Sequence, residues 1–230
     1  MSVRQFVTRV FGVLLVLVMA YQLWLLAHVW WWVDHNPESS AFMEERLELL
    51  QAKNPEAELR HRWVAYNQIS PNLKRALIAS EDAKFLDHEG FDWEGIQTAW
   101  EKNIKKGKVV AGGSTISQQL AKNLFLSGKR TPWRKAEEAI ITVMMEQMMS
   151  KRRIFEIYLN VIEWGNGVFG AEAASRHYYR KSAKNLGPGE AAKLAAMVPN
   201  PRYYDKHFQD RRLMRKARII QRRMRYAEYP

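Results

Sequence analysis

Ser70-Pro71-Asn72-Leu73-Lys74-Arg75-Ala76-Leu77-Ile78-Ala79-Ser80-Glu81-Asp82-Ala83-Lys84-Phe85-Leu86-Asp87-His88-Glu89-Gly90 begins as a helix and ends as a turn. Ser70 is suited to the N-cap and Pro71 to the first helical position, where a missing N–H costs nothing. Leu73, Ala76, Leu77 and Ser80 then recur at helical spacing, which puts Glu81 at the C-terminal end of that helix. The pattern continues outward in both directions. A second helix is expected from Asp92 to about Gly107, and the glycine- and valine-bearing segment 108–113 reads as a flexible loop leading into a helix at Ser114. Thr131-Pro132 opens a long helix and Lys151 another. Gly187-Pro188-Gly189 precedes an alanine-rich helix that Pro199-Asn200-Pro201 ends. Upstream, Ala41–Lys53 is a Leu/Glu-rich helical connector stopped by Asn54-Pro55. No alternating apolar and polar run is long enough to require a sheet, so the expected fold class is mainly α.

Four blocks within this frame carry a resemblance. The first is Glu81–Gly90 and the second is Gly112-Gly113-Ser114-Thr115-Ile116-Ser117-Gln118-Gln119-Leu120-Ala121-Lys122-Asn123. The third is Arg134-Lys135-Ala136-Glu137-Glu138, and the fourth is Lys151-Arg152-Arg153-Ile154-Phe155-Glu156-Ile157-Tyr158-Leu159-Asn160 with Trp164-Gly165. In order and spacing they resemble the signature motifs of the family 51 glycosyltransferases, which polymerise lipid II, over roughly Ala65 to Arg202. The resemblance implies a lysozyme-like helical domain with a small membrane-proximal lobe against which a lipid chain could lie. Two positions depart from the family pattern. Phe155 stands where leucine is expected, and Arg180 stands where glycine is frequent, which bears on the geometry of that turn.

Moving a sugar from a diphosphate carrier to a hydroxyl needs a base for the acceptor and positive charge for the departing diphosphate. By resemblance Glu81 is that base, and Glu138 is the second carboxylate, orienting Arg134, Lys135 or a divalent cation near the diphosphate. By itself Arg134/Glu138 is an ordinary i,i+4 pair, and Glu137 is the adjacent alternative that the motif spacing disfavours. The resemblance assigns substrate contacts to Ser114, Thr115, Gln118, Gln119, Lys122 and Asn123. Amides suit sugar hydroxyls and acetamido groups, whereas Lys122 suits phosphate. Lys151, Arg153 and Asn160 are carried over from the fourth motif, the two cations as diphosphate contacts. Tyr158 and Leu159 read as core, and His88 as a structural residue holding its turn. Mg²⁺ or Mn²⁺ is the one cofactor left open, and no His-Glu-x-x-His spacing supplies its ligands.

The 230-residue chain carries a formal charge of +12 and no cysteine. That balance favours anionic partners: a pyrophosphate-linked substrate, anionic lipid headgroups or nucleic acid. Nucleic acid is the poorest of these, for want of any recognition motif. Phe11–Val33 is 23 residues without a charged side chain, ~34 Å long as a helix and enough to span a bilayer. Trp30, Trp31 and Trp32 suit its interfacial end. A cleaved signal peptide is the alternative, but its apolar region is usually shorter. Flanking charges leave the orientation nearly tied; the resemblance implies an inner-membrane protein with its N-terminus inside and its catalytic domain on the periplasmic face. The expected organisation is therefore tail 1–10, transmembrane helix 11–33, connector 34–64, glycosyltransferase domain 65–205 and basic C-terminal helix 206–230. On that last helix Leu213, Ala217, Ile220 and Met224 share one face, and Arg211, Arg215, Arg218, Arg222 and Arg225 share another. No Ser-x-x-Lys or Lys-Thr-Gly motif is present, so cross-linking is expected to fall to separate transpeptidases. The implied partners are lipid II, the nascent glycan strand and the membrane. A glycan hydrolase on the same fold and a non-catalytic membrane scaffold are the rival readings.

Overall fold

Ser2 starts the first helix with a reciprocal cap, its Oγ accepting from the Gln5 N–H at 3.3 Å while Gln5 Oε1 accepts from the Ser2 N–H at 3.1 Å. A computed structural model describes residues 2–108, 112–126, 128 and 131–230. Helix α1 (Val3–Trp31) is apolar enough to cross a membrane and belongs to a compact unit spanning residues 1–36. It takes in most of the stretch expected as a tail, because nothing after the Ser2 cap interrupts the helix before Trp31.

Residues 37–230 form the second unit. In chain order it contains α2 (Ala41–Gln51), β1 (Arg60–His61), α3 (Pro71–Glu81), α4 (Trp93–Lys106), α5 (Ile116–Phe125), α6 (Pro132–Met148) and α7 (Lys151–Val161). There follow β2 (Glu163–Gly165), β3 (Val168–Phe169), α8 (Ala171–Tyr179), α9 (Pro188–Met197), α10 (Pro201–Lys206) and α11 (Arg211–Arg223). The expected caps are in place. Ser70 Oγ accepts from the Asn72 N–H at 3.2 Å, Asp92 Oδ1 from the Gly95 N–H at 2.9 Å, and Thr131 Oγ1 from the Arg134 N–H at 3.2 Å. The α5 helix starts at Ile116 rather than Ser114, because Thr115 makes the cap. Of the loop expected over 108–113, residues 109–111 lie outside the described residues.

The mainly α reading holds, with one addition. Three short strands form a sheet in the order β1-β3-β2, β1 parallel to β3 with Arg60 opposite Val168, and β2 antiparallel to β3 with a bulge. Strands of two or three residues are too short to show a period-2 pattern. Gly170, at φ +82, closes the sheet onto α7: a Cβ there would lie 2.6 Å from the Asn160 carbonyl oxygen.

Helices α3, α5, α7, α9 and α11 enclose the core, which includes Leu73, Leu77, Ile116, Leu120, Ile154 and Leu213. Buried alanines 191, 192, 195 and 196 let α9 approach its neighbours closely. Phe155 is fully buried, with ring centroids 5.7 Å from Phe85, 6.2 Å from Tyr158 and 6.3 Å from Tyr66. The larger ring at this position thus joins the end of the first motif to the fourth in one aromatic cluster.

Candidate active site

Glu81 is the last residue of α3, and Asp82 after it fastens that helix end to the start of α5. The buried Asp82 carboxylate accepts from the Ile116 N–H at 3.0 Å and from His88 Nε2–H at 3.0 Å. His88 Nδ1 accepts in turn from the Gly90 N–H at 3.1 Å, so the ring is held as its Nε2–H tautomer and fixes the turn. The result is to set Glu81 beside the face of α5 that carries Gln119.

Gln119 Nε2 donates to Glu81 Oε2 at 3.2 Å, and Gln119 Oε1 accepts from Tyr158 Oη–H at 3.0 Å. Tyr158 is fully buried, and burial followed by the nearby Glu81 and Asp82 charges raises its pKa well above the ordinary tyrosine value. It therefore stays protonated and keeps the Gln119 amide turned toward Glu81. The other Glu81 oxygen, Oε1, is buried without a hydrogen-bond partner. Burial pushes the Glu81 carboxyl above the usual glutamate range, opposed by Lys216 on α11 and by the Gln119 and Ser80 side chains. A carboxylate with one oxygen held, one unpaired and its proton affinity raised has the properties of a general base.

The second carboxylate, Glu138 on α6, is 3% exposed and pairs with Arg134 at 3.5 Å and, more tightly, with Lys135. Lys135 Nζ also donates to Ser114 Oγ at 3.4 Å, linking this cluster to the segment that precedes α5. Glu81, Ser114 and Thr115 line a cavity of about 180 Å³, and Gln119, Lys122, Asn123 and Arg134 line another of about 300 Å³ that extends to Phe42 and Arg202. Gln119 is thus the hinge between the base and the second cavity. Both Glu138 oxygens already face cationic side chains, and no group of three or more His, Cys, Asp or Glu that could hold a metal occurs among the described residues.

Several residues expected to touch substrate are engaged elsewhere. Thr115 and Gln118 make a reciprocal cap on α5, and Thr115 Oγ1 donates to the Gly90 carbonyl at 2.6 Å. Lys151 Nζ donates to the His88 carbonyl at 2.5 Å and pairs with Glu146 at 2.8 Å, tying the fourth motif to the first. Arg153 pairs with Glu156 at 2.9 Å and sits over the Trp63 ring. Asn160, fully buried, donates from Nδ2 to the Val64 and Glu156 carbonyls and accepts from the Val64 N–H at 3.0 Å. These last three line neither cavity. Asp82, Tyr158 and Lys216 were not singled out from the sequence as site residues. Asp82 stands within the first motif and Tyr158 within the fourth, whereas Lys216 is concealed in a run of arginines.

A carboxyl shifted upward by burial is thus linked through Ser114 and Gln119 to an acid-paired arginine and lysine, an arrangement suited to acid–base chemistry near an anionic group. The chain belongs to the transglycosylase family, whose profile matches residues 48–225. It is 69% identical over 99% of its length to the biosynthetic peptidoglycan transglycosylase of Methylobacillus flagellatus, all of which is covered. It is 67% identical to the protein of the same name from Laribacter hongkongensis, covering 98% of this chain and 99% of that one. A third relative of that name, from Nitrosospira multiformis, is 58% identical over the full length of both chains.

Proposed function

We propose that this protein polymerises peptidoglycan glycan strands, taking lipid II as acceptor and the lipid-diphosphate-linked growing chain as donor. The family supports the reaction, and the Glu81 carboxylate, with Gln119 on one oxygen and the other unpaired, is the observation that carries the mechanism. Glu81 takes the proton from the 4-hydroxyl of the N-acetylglucosamine of lipid II. The freed oxygen attacks C1 of the N-acetylmuramic acid at the reducing end of the growing chain, from the face opposite the diphosphate. The C1–O bond breaks, its electron pair leaves with undecaprenyl diphosphate, and the anomeric centre inverts to give a β-1,4 link. Arg134 and Lys135 offset the charge on the leaving diphosphate, with Glu138 holding their side chains in register. Ser114, Lys122 and Asn123 are the remaining contacts for sugar and phosphate. Thr115, Gln118, Lys151, Arg153 and Asn160 act through the shape they give these residues.

Exposed apolar side chains support action at a membrane. Trp93, Trp100 and Ile104 share one face of α4, while Trp133, Ile140 and Val143 project from α6, all of them exposed. So much uncovered aromatic surface suits the interfacial zone of a bilayer and the tail of a lipid substrate. With α1 as anchor, we assign the first residues to the cytoplasm and residues 37–230 to the outer face of the inner membrane.

The test is turnover of purified lipid II by the detergent-solubilised wild type and by Glu81→Gln. Loss of the base is expected to lower the rate by ~10²–10⁴-fold with the fold intact. A variant that keeps more than about a tenth of the wild-type rate would remove Glu81 from the role.

A further inference from the structure

At the other end of α3 lies a larger cavity that shares no residue with the Glu81 site. Its volume is about 590 Å³, and its lining includes Tyr66, Lys74, Arg75, Arg152, Glu228 and Tyr229. Lys74 precedes Glu81 by seven positions on one helix, which separates the two sites by ~10 Å along its axis.

The charges in this lining are unbalanced. Lys74, Arg75 and Arg152 share the lining with two carboxylates, the Glu228 side chain and the main-chain carboxylate of Pro230, and none of the three cations forms an ion pair among the described residues. Lys74 is only 5% exposed, and its ammonium has one hydrogen bond, to the Tyr66 carbonyl at 3.3 Å. Burial, then Arg152, then Arg75 hold its pKa below the ordinary lysine value, as expected of like charges crowded together. What compensates them is aromatic. Lys74 Nζ lies 4.0 Å from the Tyr66 ring centroid and 4.7 Å from that of Tyr229; Arg152 Cζ is 4.7 Å from Tyr66 and Arg75 Cζ 5.4 Å from Tyr229. The Tyr66 hydroxyl in turn donates to the main-chain carboxylate of Pro230, which holds the wall formed by residues 227–230.

Three cations against two carboxylates leave the cavity with a surplus of positive charge around a buried ammonium, which an added anion would relieve. Two exposed guanidinium groups converging beside a buried ammonium match the oxygens of a phosphate, and the tyrosine faces and spare volume leave room for what carries it. We propose that the Lys74–Arg75–Arg152 cavity is a second anion site, separate from the Glu81 cleft, that takes a phosphate group borne on a larger headgroup.

Calorimetric titration of the full chain in neutral detergent micelles tests this with two probes, pyrophosphate and dihexanoyl phosphatidylglycerol. The proteins compared are the wild type, Arg75→Gln/Arg152→Gln, and Arg134→Gln/Lys135→Gln. At least one probe is expected to bind the wild type with an affinity that Arg75→Gln/Arg152→Gln weakens by at least ~10-fold and that Arg134→Gln/Lys135→Gln leaves in place. Loss with phosphatidylglycerol alone identifies a lipid headgroup as the source; loss with pyrophosphate as well shows that free phosphate suffices. Wild-type behaviour of Arg75→Gln/Arg152→Gln with both probes, or no binding of either probe to the wild type, overturns the proposal. Both substituted arginines are exposed, so the fold should tolerate the change.

Discussion

As the proposed base, Glu81 would serve chemistry at the expense of stability. Its carboxyl is shifted upward mainly by burial, so the folded protein binds this proton more tightly than the unfolded chain does. The stability gained from the protonated form is fully present below the ordinary glutamate range and is lost as pH rises through the folded-state value. Glu81→Gln removes the ionisation. The variant should therefore melt at a higher temperature than wild type at neutral pH, and the difference should shrink as the pH falls toward 4, which paired melting curves across that range would reveal. A variant that melts lower at neutral pH would mean that Lys216 and Gln119 more than compensate the buried charge. In the proposed mechanism the same surroundings set its reactivity. Gln119 can orient Glu81 only because Tyr158 holds the amide by its other end, and Asp82 and His88 fix the backbone from which Glu81 projects.

The elements explain why the frame was easy to read and the site less so. Helix starts at Ser70, Asp92 and Thr131 were legible because a cap is a local event, written in one side chain and the N–H groups just after it. The strands β1, β2 and β3 were not, since each exists only through pairing across a hundred residues of chain or a tight bulge. Among motif residues the sequence gives type and spacing but not direction. Asn160 and Lys151 carry groups suited to binding a substrate, yet one clamps α7 to Val64 and the other clamps α7 to His88. Arg180 shows the opposite case, a departure whose consequence could be located in advance. It caps α8 at φ 56, the only described non-glycine residue with positive φ, so the turn keeps a glycine-like shape despite its side chain. Relief of that left-handed conformation should let Arg180→Gly stabilise the protein by ~0.5–1 kcal/mol, a gain trimmed by the freer unfolded chain. Thermal melting checks this, and an unchanged or lower midpoint would show that Arg180 carries compensating contacts.

On the scale of the whole molecule, an apolar 29-residue helix suggests a membrane anchor, and a net charge of +12 with exposed tryptophans on α4 and α6 suits the proposed work at an anionic surface. The absence of cysteine makes its orientation measurable. Introduced singly, Glu101→Cys should react with a membrane-impermeant maleimide on intact spheroplasts, and Ser2→Cys only after permeabilisation; the reverse pattern would invert the topology. Both the membrane setting and the site converge on strand synthesis as opposed to strand cleavage. The most direct measurement offers the detergent-solubilised protein lipid II in one reaction and preformed glycan in another, then treats the products with a muramidase. Polymer formed from lipid II and degraded by the muramidase, with the preformed glycan left at its original length, is the predicted result. Shortened glycan and no polymer would contradict the account and make the Glu81 cleft that of a hydrolase.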